Sequence, residues 1–233
     1  MRALALALAA AALAACADPP AQVTVDGYTG AADLGALDSY VIAGPRTAIV
    51  VDGQGSVDDA MQVVAMLQRR DLIPIAAFVT RIDPAREVGL ATLRLAYPEL
   101  PIYAPPALAA AAPPLTAYPD ATIDVDGATV ALAPLTSATG EPAVALRVPA
   151  ADAAIIGDTL ADDIWLAARA GWLATDPPAT RYYPGRGAFP RAAAALAPAP
   201  AALLAATAGP SPRGSDRCSG ARPSTPDTRA AAR

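Results

Sequence analysis

The sequence contains no histidine, no lysine and no asparagine; all 17 of its basic residues are arginine. Missing lysine and asparagine can follow from a GC-rich coding sequence. Histidine codons are not AT-rich, so base composition does not explain its absence. Without imidazole a Ser-His-Asp or Cys-His catalytic set is excluded. The neutral nitrogen ligand that suits zinc is missing as well. Only two cysteines occur, Cys16 and Cys218. Cys16 lies in a targeting signal, so neither a disulfide framework nor a Cys-based zinc site can be built. The net charge is -5, so no basic surface advertises nucleic acid. No Walker or dinucleotide fingerprint appears either; Asp52-Gly53-Gln54-Gly55 reads as a turn.

What is present is organised around residues 48–104. An apolar strand ends in Asp52, a Gly-containing turn follows, and then a helix. A second apolar strand at 76–79 runs into the loop 80–86, another helix, and a short strand at 102–103. Strand, helix, strand, helix, strand predicts neighbouring, mostly parallel strands. Chemistry in such layouts sits at the carboxyl ends of the strands, here Asp52 and residues 80–86. The first helix carries strong local signals. Ser56 and Asp59 form a capping-box pattern, Asp58 and Asp59 suit the positive end of the helix dipole, and Arg69 and Arg70 suit the other end. Asp83-Pro84 reads as a helix cap followed by a first-position proline, opening a helix over 84–97.

Met1 to Cys16 has the form of a signal peptide: one arginine, a short apolar run, then Leu13-Ala14-Ala15-Cys16. That tetrapeptide matches the bacterial lipobox, cut before Cys16. The match implies a diacylglyceryl group on Cys16, with ~0.8 kcal/mol of membrane affinity per buried CH₂. The chain is therefore expected on the periplasmic side of a membrane in a bacterial cell envelope, with 1–15 as signal, 16–21 as tether and a domain over 22–190. Strands are expected at 22–28 and 39–42. Residues 109–119 read as an Ala/Pro-rich connector. Strands at 122–125 and 129–132 flank Asp126-Gly127, a type I′ hairpin signal. Further strands are expected at 143–148 and 153–156, and a helix at 163–172. Residues 191–233 read as a low-complexity, largely disordered tail, which is also consistent with a shifted reading frame.

The stretch 48–104 resembles the first half of the metallo-β-lactamase superfamily, and the resemblance extends over residues 23–187. It implies an α/β fold, the αββα sandwich, with a one- or two-zinc site. There the second strand runs into T-H-x-H-x-D-H. Laid on this sequence, the motif falls on Thr80, Arg81, Ile82, Asp83, Pro84, Ala85 and Arg86. Thr80 agrees; Arg81, Asp83, Ala85 and Arg86 stand where metal ligands or their servants should be. Gly157-Asp158 resembles the family's G-D turn, and Asp158 alone keeps its expected residue. Pro184-Gly185-Arg186-Gly187 resembles P-G-H-G with Arg186 in the histidine position. The remaining family histidine falls near 136–141, where none exists.

Oxygen ligands alone, from Asp158, Asp83, Asp52 or Glu87, suit magnesium, calcium or manganese better than zinc. Arg81, Arg86 and Arg186 would point where a dication sat. At ~4 Å and an effective dielectric near 20, each approach of a guanidinium to a dication costs several kcal/mol. No cofactor is therefore expected, although zinc is what the family implies. Arg86 or Arg81 paired with Asp158 would replace the metal by a salt bridge. The resulting reading is a lipid-anchored, non-catalytic protein of this fold with a binding or structural role. Two further readings stand beside it: a hydrolase with a site rebuilt around Asp158, and a decayed gene product. Arg81, Arg86 and Arg186 also suggest a pocket for a small phosphate or carboxylate ligand.

Overall fold

The computed structural model describes residues 22–111, 115–118, 120–160, 179, 181–187, 189 and 191–192. Two six-stranded sheets pack face to face. The first has the order β1 (Thr24–Thr29), β2 (Asp38–Ala43), β3 (Thr47–Val51), β4 (Ile73–Phe78), β5 (Ile102–Ala104), β6 (Thr116–Ala117). The second has the order β12 (Arg191–Ala192), β11 (Arg181–Pro184), β10 (Ala153–Gly157), β9 (Pro142–Val148), β8 (Ala128–Thr136), β7 (Thr122–Val125). Strands β3, β4 and β5 are parallel neighbours, as the alternation of strands and helices requires. The helices α1 (Val57–Arg69) and α2 (Glu87–Ala96) are the crossovers that join them, and α3 (Pro106–Ala111) follows β5.

The period-two alternation of each central strand builds the layers. Tyr40 and Ile42 of β2, Ile49 and Val51 of β3, and Ala76 and Phe78 of β4 face the second sheet. They meet Val144, Leu146 and Val148 of β9 and Ile155 of β10 in one core. The intervening residues Val41, Val50 and Ala77 face the helices and pack on Val63, Val64 and Leu67 of α1 and Leu93 of α2. Both faces of β2 and β3 are covered, so these strands are buried along nearly their whole length. A third cluster, including Ala143, Ala145, Ala154, Ile156 and Tyr182, lies on the outer face of the second sheet.

Local rules set the helix starts. Ser56 is the cap of α1 and accepts a hydrogen bond from Asp59 N at 3.1 Å. Asp83 accepts from Ala85 N at 2.9 Å and caps a 3-10 turn, Pro84–Arg86; the α-helix begins only at Glu87, not at 84. The prediction of one helix over 84–97 thus missed a tight first turn. The connector expected over 109–119 includes the end of α3 and the edge strand β6. Two residues added in parallel to β5 carry no alternation that a sequence could show. The tail expected from residue 191 begins with β12, which the second sheet holds antiparallel to β11. The signal, the tether, the helix at 163–172 and the rest of the tail lie outside the described residues.

Asp126 and Gly127 have φ of 50° and 87°, the paired left-handed geometry of a type I′ turn. The Asp126 carboxylate also reaches across to the first sheet and accepts hydrogen bonds from Arg46 N at 2.6 Å and Thr47 N at 2.8 Å. This turn therefore clips the two sheets together at one end. Asp126→Ala should lower stability by about 1–2 kcal/mol, because two N–H groups lose their acceptor, while Asp126→Asn should cost less. Urea unfolding midpoints that rank the two substitutions the other way would contradict this account.

Candidate functional site

The carboxyl ends of β3 and β4 converge with the loops after β10 and β11. Asp52 closes β3 in the left-handed region, at φ 62°. Its buried carboxylate accepts from Thr80 N and Thr80 Oγ1, both at 2.7 Å. Thr80 O in turn accepts from Val144 N of the second sheet at 2.8 Å. Asp52 therefore pins the loop that follows β4, and that loop is pinned to the other layer.

Arg86 occupies the centre. Its side chain is only 2% exposed. Nε and Nη2 donate to Asp158 Oδ2 at 3.3 and 3.0 Å. Nη1 donates to Asp38 O at 2.8 Å and Gly53 O at 3.1 Å, and Nη2 also donates to Gly185 O at 2.7 Å. A guanidinium has five N–H groups, and these contacts use all of them. Arg186 joins the same cluster from the second sheet. Its Nη2 donates to Asp83 Oδ2 at 2.7 Å, and its Nη1 to Gly35 O at 3.2 Å. Its Nε stands 3.3 Å from Asp158 Oδ1, but that oxygen makes no hydrogen bond. The contact is thus one of charge alone, misaligned for a proton. Arg86 Nε lies 4.0 Å from Asp83 Oδ2 and closes the ring. Asp83, Arg186, Asp158 and Arg86 alternate in sign around it.

The structure brings together Asp83, Arg86, Asp158 and Arg186 of the residues singled out in the sequence. Ala85 is exposed and contributes only its N–H to the Asp83 cap. Arg81 is half-buried and, among the described residues, makes no hydrogen bond or ion pair. Arg86 and Arg186 are committed to carboxylates and carbonyls, so the three guanidiniums do not form one open anion cradle. The segment 137–141 is a turn in which Ser137 Oγ accepts from Thr139 N and Glu141 N. Cys16 lies outside the described residues.

Asp38 was not read from the sequence as part of the site. It starts β2 opposite Thr29 of β1, and Thr29 Oγ1 donates to it at 2.6 Å. That cross-strand Thr–Asp pair was the available signal. Burial pushes the Asp38 carboxyl up to about 6, against the lowering effect of Thr29, Tyr40 and Arg86. Burial raises Asp52 too, opposed by Arg86 and by the Thr80 hydrogen bonds. Burial disfavours the Arg86 charge, but Asp52, Asp158 and Asp83 outweigh it and raise its pKa. The Tyr40 hydroxyl, raised by burial and then by Asp38 and Asp52, donates to Pro184 O.

Zinc does not fit these residues. A hydrolytic site needs about three protein ligands and an open position for water. Among the described residues no group of three or more His, Cys, Asp or Glu is placed to hold a metal ion. The two carboxylates at the centre are both held by guanidiniums. A cleft of about 340 Å³ lies alongside, with Val79, Ile82, Leu90, Ile102 and Leu115 among its walls. Its walls are mainly apolar, and Asp83, Arg86, Glu87 and Arg94 also line it.

No protein-family model matches the chain, and no curated protein matches its sequence. Solved structures do match. A metallo-β-lactamase from Erythrobacter litoralis is 18% identical, with 75% of this chain and 89% of that one covered and a TM-score of 0.58. ETHE1 from Myxococcus xanthus is 14% identical, covering 72% and 79%, with a TM-score of 0.59. The BLEG-1 B3 metallo-β-lactamase is 16% identical, covering 71% and 92%, with a TM-score of 0.55. The chain therefore has the metallo-β-lactamase fold, an α/β sandwich. At these identities the likeness shows the fold alone.

Arg86→Met should destabilise the protein by about 3–5 kcal/mol, because it strands a buried carboxylate beside three carbonyls. Adding Asp158→Leu should recover part of that loss. Denaturant titration of both single variants and the double checks this; strictly additive losses would show that the pair is not coupled. A second prediction concerns pH. The folded state holds the Asp38 proton more tightly than the unfolded chain does. Stability should therefore fall as pH rises from about 4 to about 6, by about 1.4 kcal/mol for each unit of pKa shift. Asp52, raised in the same direction, adds to the slope. Asp38→Asn should flatten that profile, and an unchanged slope would remove Asp38 as its source.

Proposed function

We propose that the chain is an exported, lipid-anchored protein of the metallo-β-lactamase fold whose metal site has given way to an internal ion-pair network. It is non-catalytic, with a binding or structural role in the cell envelope. One observation carries the reading: Arg86 is buried at the point where ligands would have to converge, with every N–H committed. A zinc-bound hydroxide needs an open coordination position and deprotonated ligands. Here the positions facing Asp158 are held by cations, and a dication brought among them would be repelled. The sequence has no histidine to offer in compensation. The lipobox at residues 13–16 supports export and anchoring; no helix among the described residues is long and apolar enough to cross a membrane.

The test is metal content by mass spectrometry, combined with hydrolysis of an ester, a thioester and a lactam by the full purified chain. Zinc far below one per chain, and rates no faster than buffer, are expected. Stoichiometric zinc together with turnover of any of the three would overturn the reading.

A further inference from the structure

We infer that the groove between α1 and α2 is an interface between two copies of this chain, with the helices of one copy lying antiparallel across those of the other. Among the described residues the exposed large apolar side chains are Leu34, Val57, Met61, Ile73, Val88 and Leu95. Four of them belong to these two helices. Val57 and Met61 of α1 are 55% and 44% exposed; Val88 and Leu95 of α2 are 44% and 85% exposed.

The fold decides which flank each occupies. α1 and α2 are successive crossovers on one face of the first sheet, so they run parallel and pack side by side. α1 turns Ala60, Val63, Val64 and Leu67 to the sheet. One of its flanks, with Gln62, Met66 and Arg69, shares a cleft with Asp26 and Tyr28 of β1. At about 100° per residue, Val57 and Met61 lie on the other flank, toward α2. α2 turns Gly89, Thr92 and Leu93 to the sheet. Its flank with Leu90 borders the cleft beside Ile102 and Leu115, which leaves Val88 and Leu95 on the flank toward α1. The helix starts are in step, because Gly89 N donates to Gln54 O at 2.8 Å, two residues before the cap of α1. The four side chains thus line one groove, and a contiguous exposed apolar strip marks a contact surface.

Charge selects the occupant. Each helix opens with an acid and closes with a base: Asp58 and Glu87 in the first turns, Arg69 and Arg94 in the last. These charges suit the helix dipoles, and because the helices are parallel they also make one end of the layer acidic and the other basic. A twofold axis in the plane of the interface, lying across the helices, sets each helix over its own copy in the opposite direction. Asp58 then faces the partner's Arg69, and Glu87 the partner's Arg94, each contact occurring twice. An axis along the helices would set acid over acid and base over base. The surface is therefore complementary to itself in the antiparallel orientation, and burial of Met61 and Leu95 supplies the attraction.

The test is native mass spectrometry of the full purified chain, kept in mild detergent, across micromolar concentrations. A dimer is expected. Met61→Glu and Leu95→Glu, both at exposed positions, should each weaken it by about tenfold or more and leave the circular dichroism spectrum unchanged. Asp58→Arg should weaken it several-fold, and adding Arg69→Asp should restore it. A chain that stays monomeric would overturn the proposal, and so would a dimer indifferent to Leu95→Glu. A dimer broken by Leu95→Glu but not restored by the charge exchange would overturn the antiparallel pairing. A monomer that binds phosphatidylcholine vesicles or an amphipathic helical peptide, and loses that binding on Leu95→Glu, would give the groove to lipid or to a different protein.

Discussion

The contact between Arg86 and Asp158 draws several separate pieces of the chain to one point. Arg86 comes from the turn after β4, Asp158 from the turn after β10, and the carbonyls it holds come from β2, from the loop after β3 and from the loop after β11. Both sheets are represented. A guanidinium is suited to this because its donors form a rigid planar fork, and several acceptors can be held at once in fixed directions. A metal ion at the same point would draw on lone pairs of side chains. Arg86 draws mainly on backbone carbonyls, which any sequence supplies. Only Asp158 among its partners depends on residue type.

The cluster remains short of positive charge. Four carboxylates, Asp38, Asp52, Asp83 and Asp158, surround two guanidiniums, and Arg186 lies partly in solvent at 39% exposure. Buried charge of one sign is costly, and the excess is relieved in two ways. Asp52 and Asp83 spend their oxygens on backbone N–H groups at Thr80 and Ala85. Burial also raises the proton affinity of Asp38 and of Asp52. Close packing fixes the arrangement further: a Cβ at Gly157 would meet Thr80 Oγ1 at 2.2 Å, and one at Gly185 would meet Asp158 Oδ1 at 2.3 Å.

The scaffold was legible in the sequence because its determinants are local and repeated. Short, largely apolar runs marked β2, β3, β4, β9 and β10, each within a few residues of its observed bounds, and Ser56 and Asp126-Gly127 announced a cap and a turn through side chains that act on their own backbone. The site was legible only in part. Asp158, Arg86 and Arg186 were found because they occupy landmark positions of a recognisable series. Asp38 was not, because its role depends on Thr29 across the sheet and on burial by other elements. Nothing in the sequence distinguished Arg86 from Arg81 either. The two lie five residues apart, yet one is enclosed with five hydrogen bonds and the other has none among the described residues. The 3-10 turn over Pro84–Arg86 decides the difference, by swinging Arg86 inward beneath the Asp83 cap.

This division explains how a metallo-β-lactamase fold stands without the family's ligands. Its main core, from Ile42 and Ile49 through Val144 and Ile155, is built largely from side chains that do not touch the site; Tyr40 alone among those named above reaches it, through its hydroxyl. Burial of that apolar surface is the dominant favourable term in folding, and it is indifferent to what fills the pocket. The pocket's own requirement is narrower: the carbonyls and carboxylates left facing inward at the strand ends need a cation or donors of some kind. A dication meets it with chemistry as a by-product. A guanidinium meets it with none, because its protons stay bound at any physiological pH. The same fold can therefore keep its geometry with a guanidinium at the point where these carbonyls and carboxylates converge.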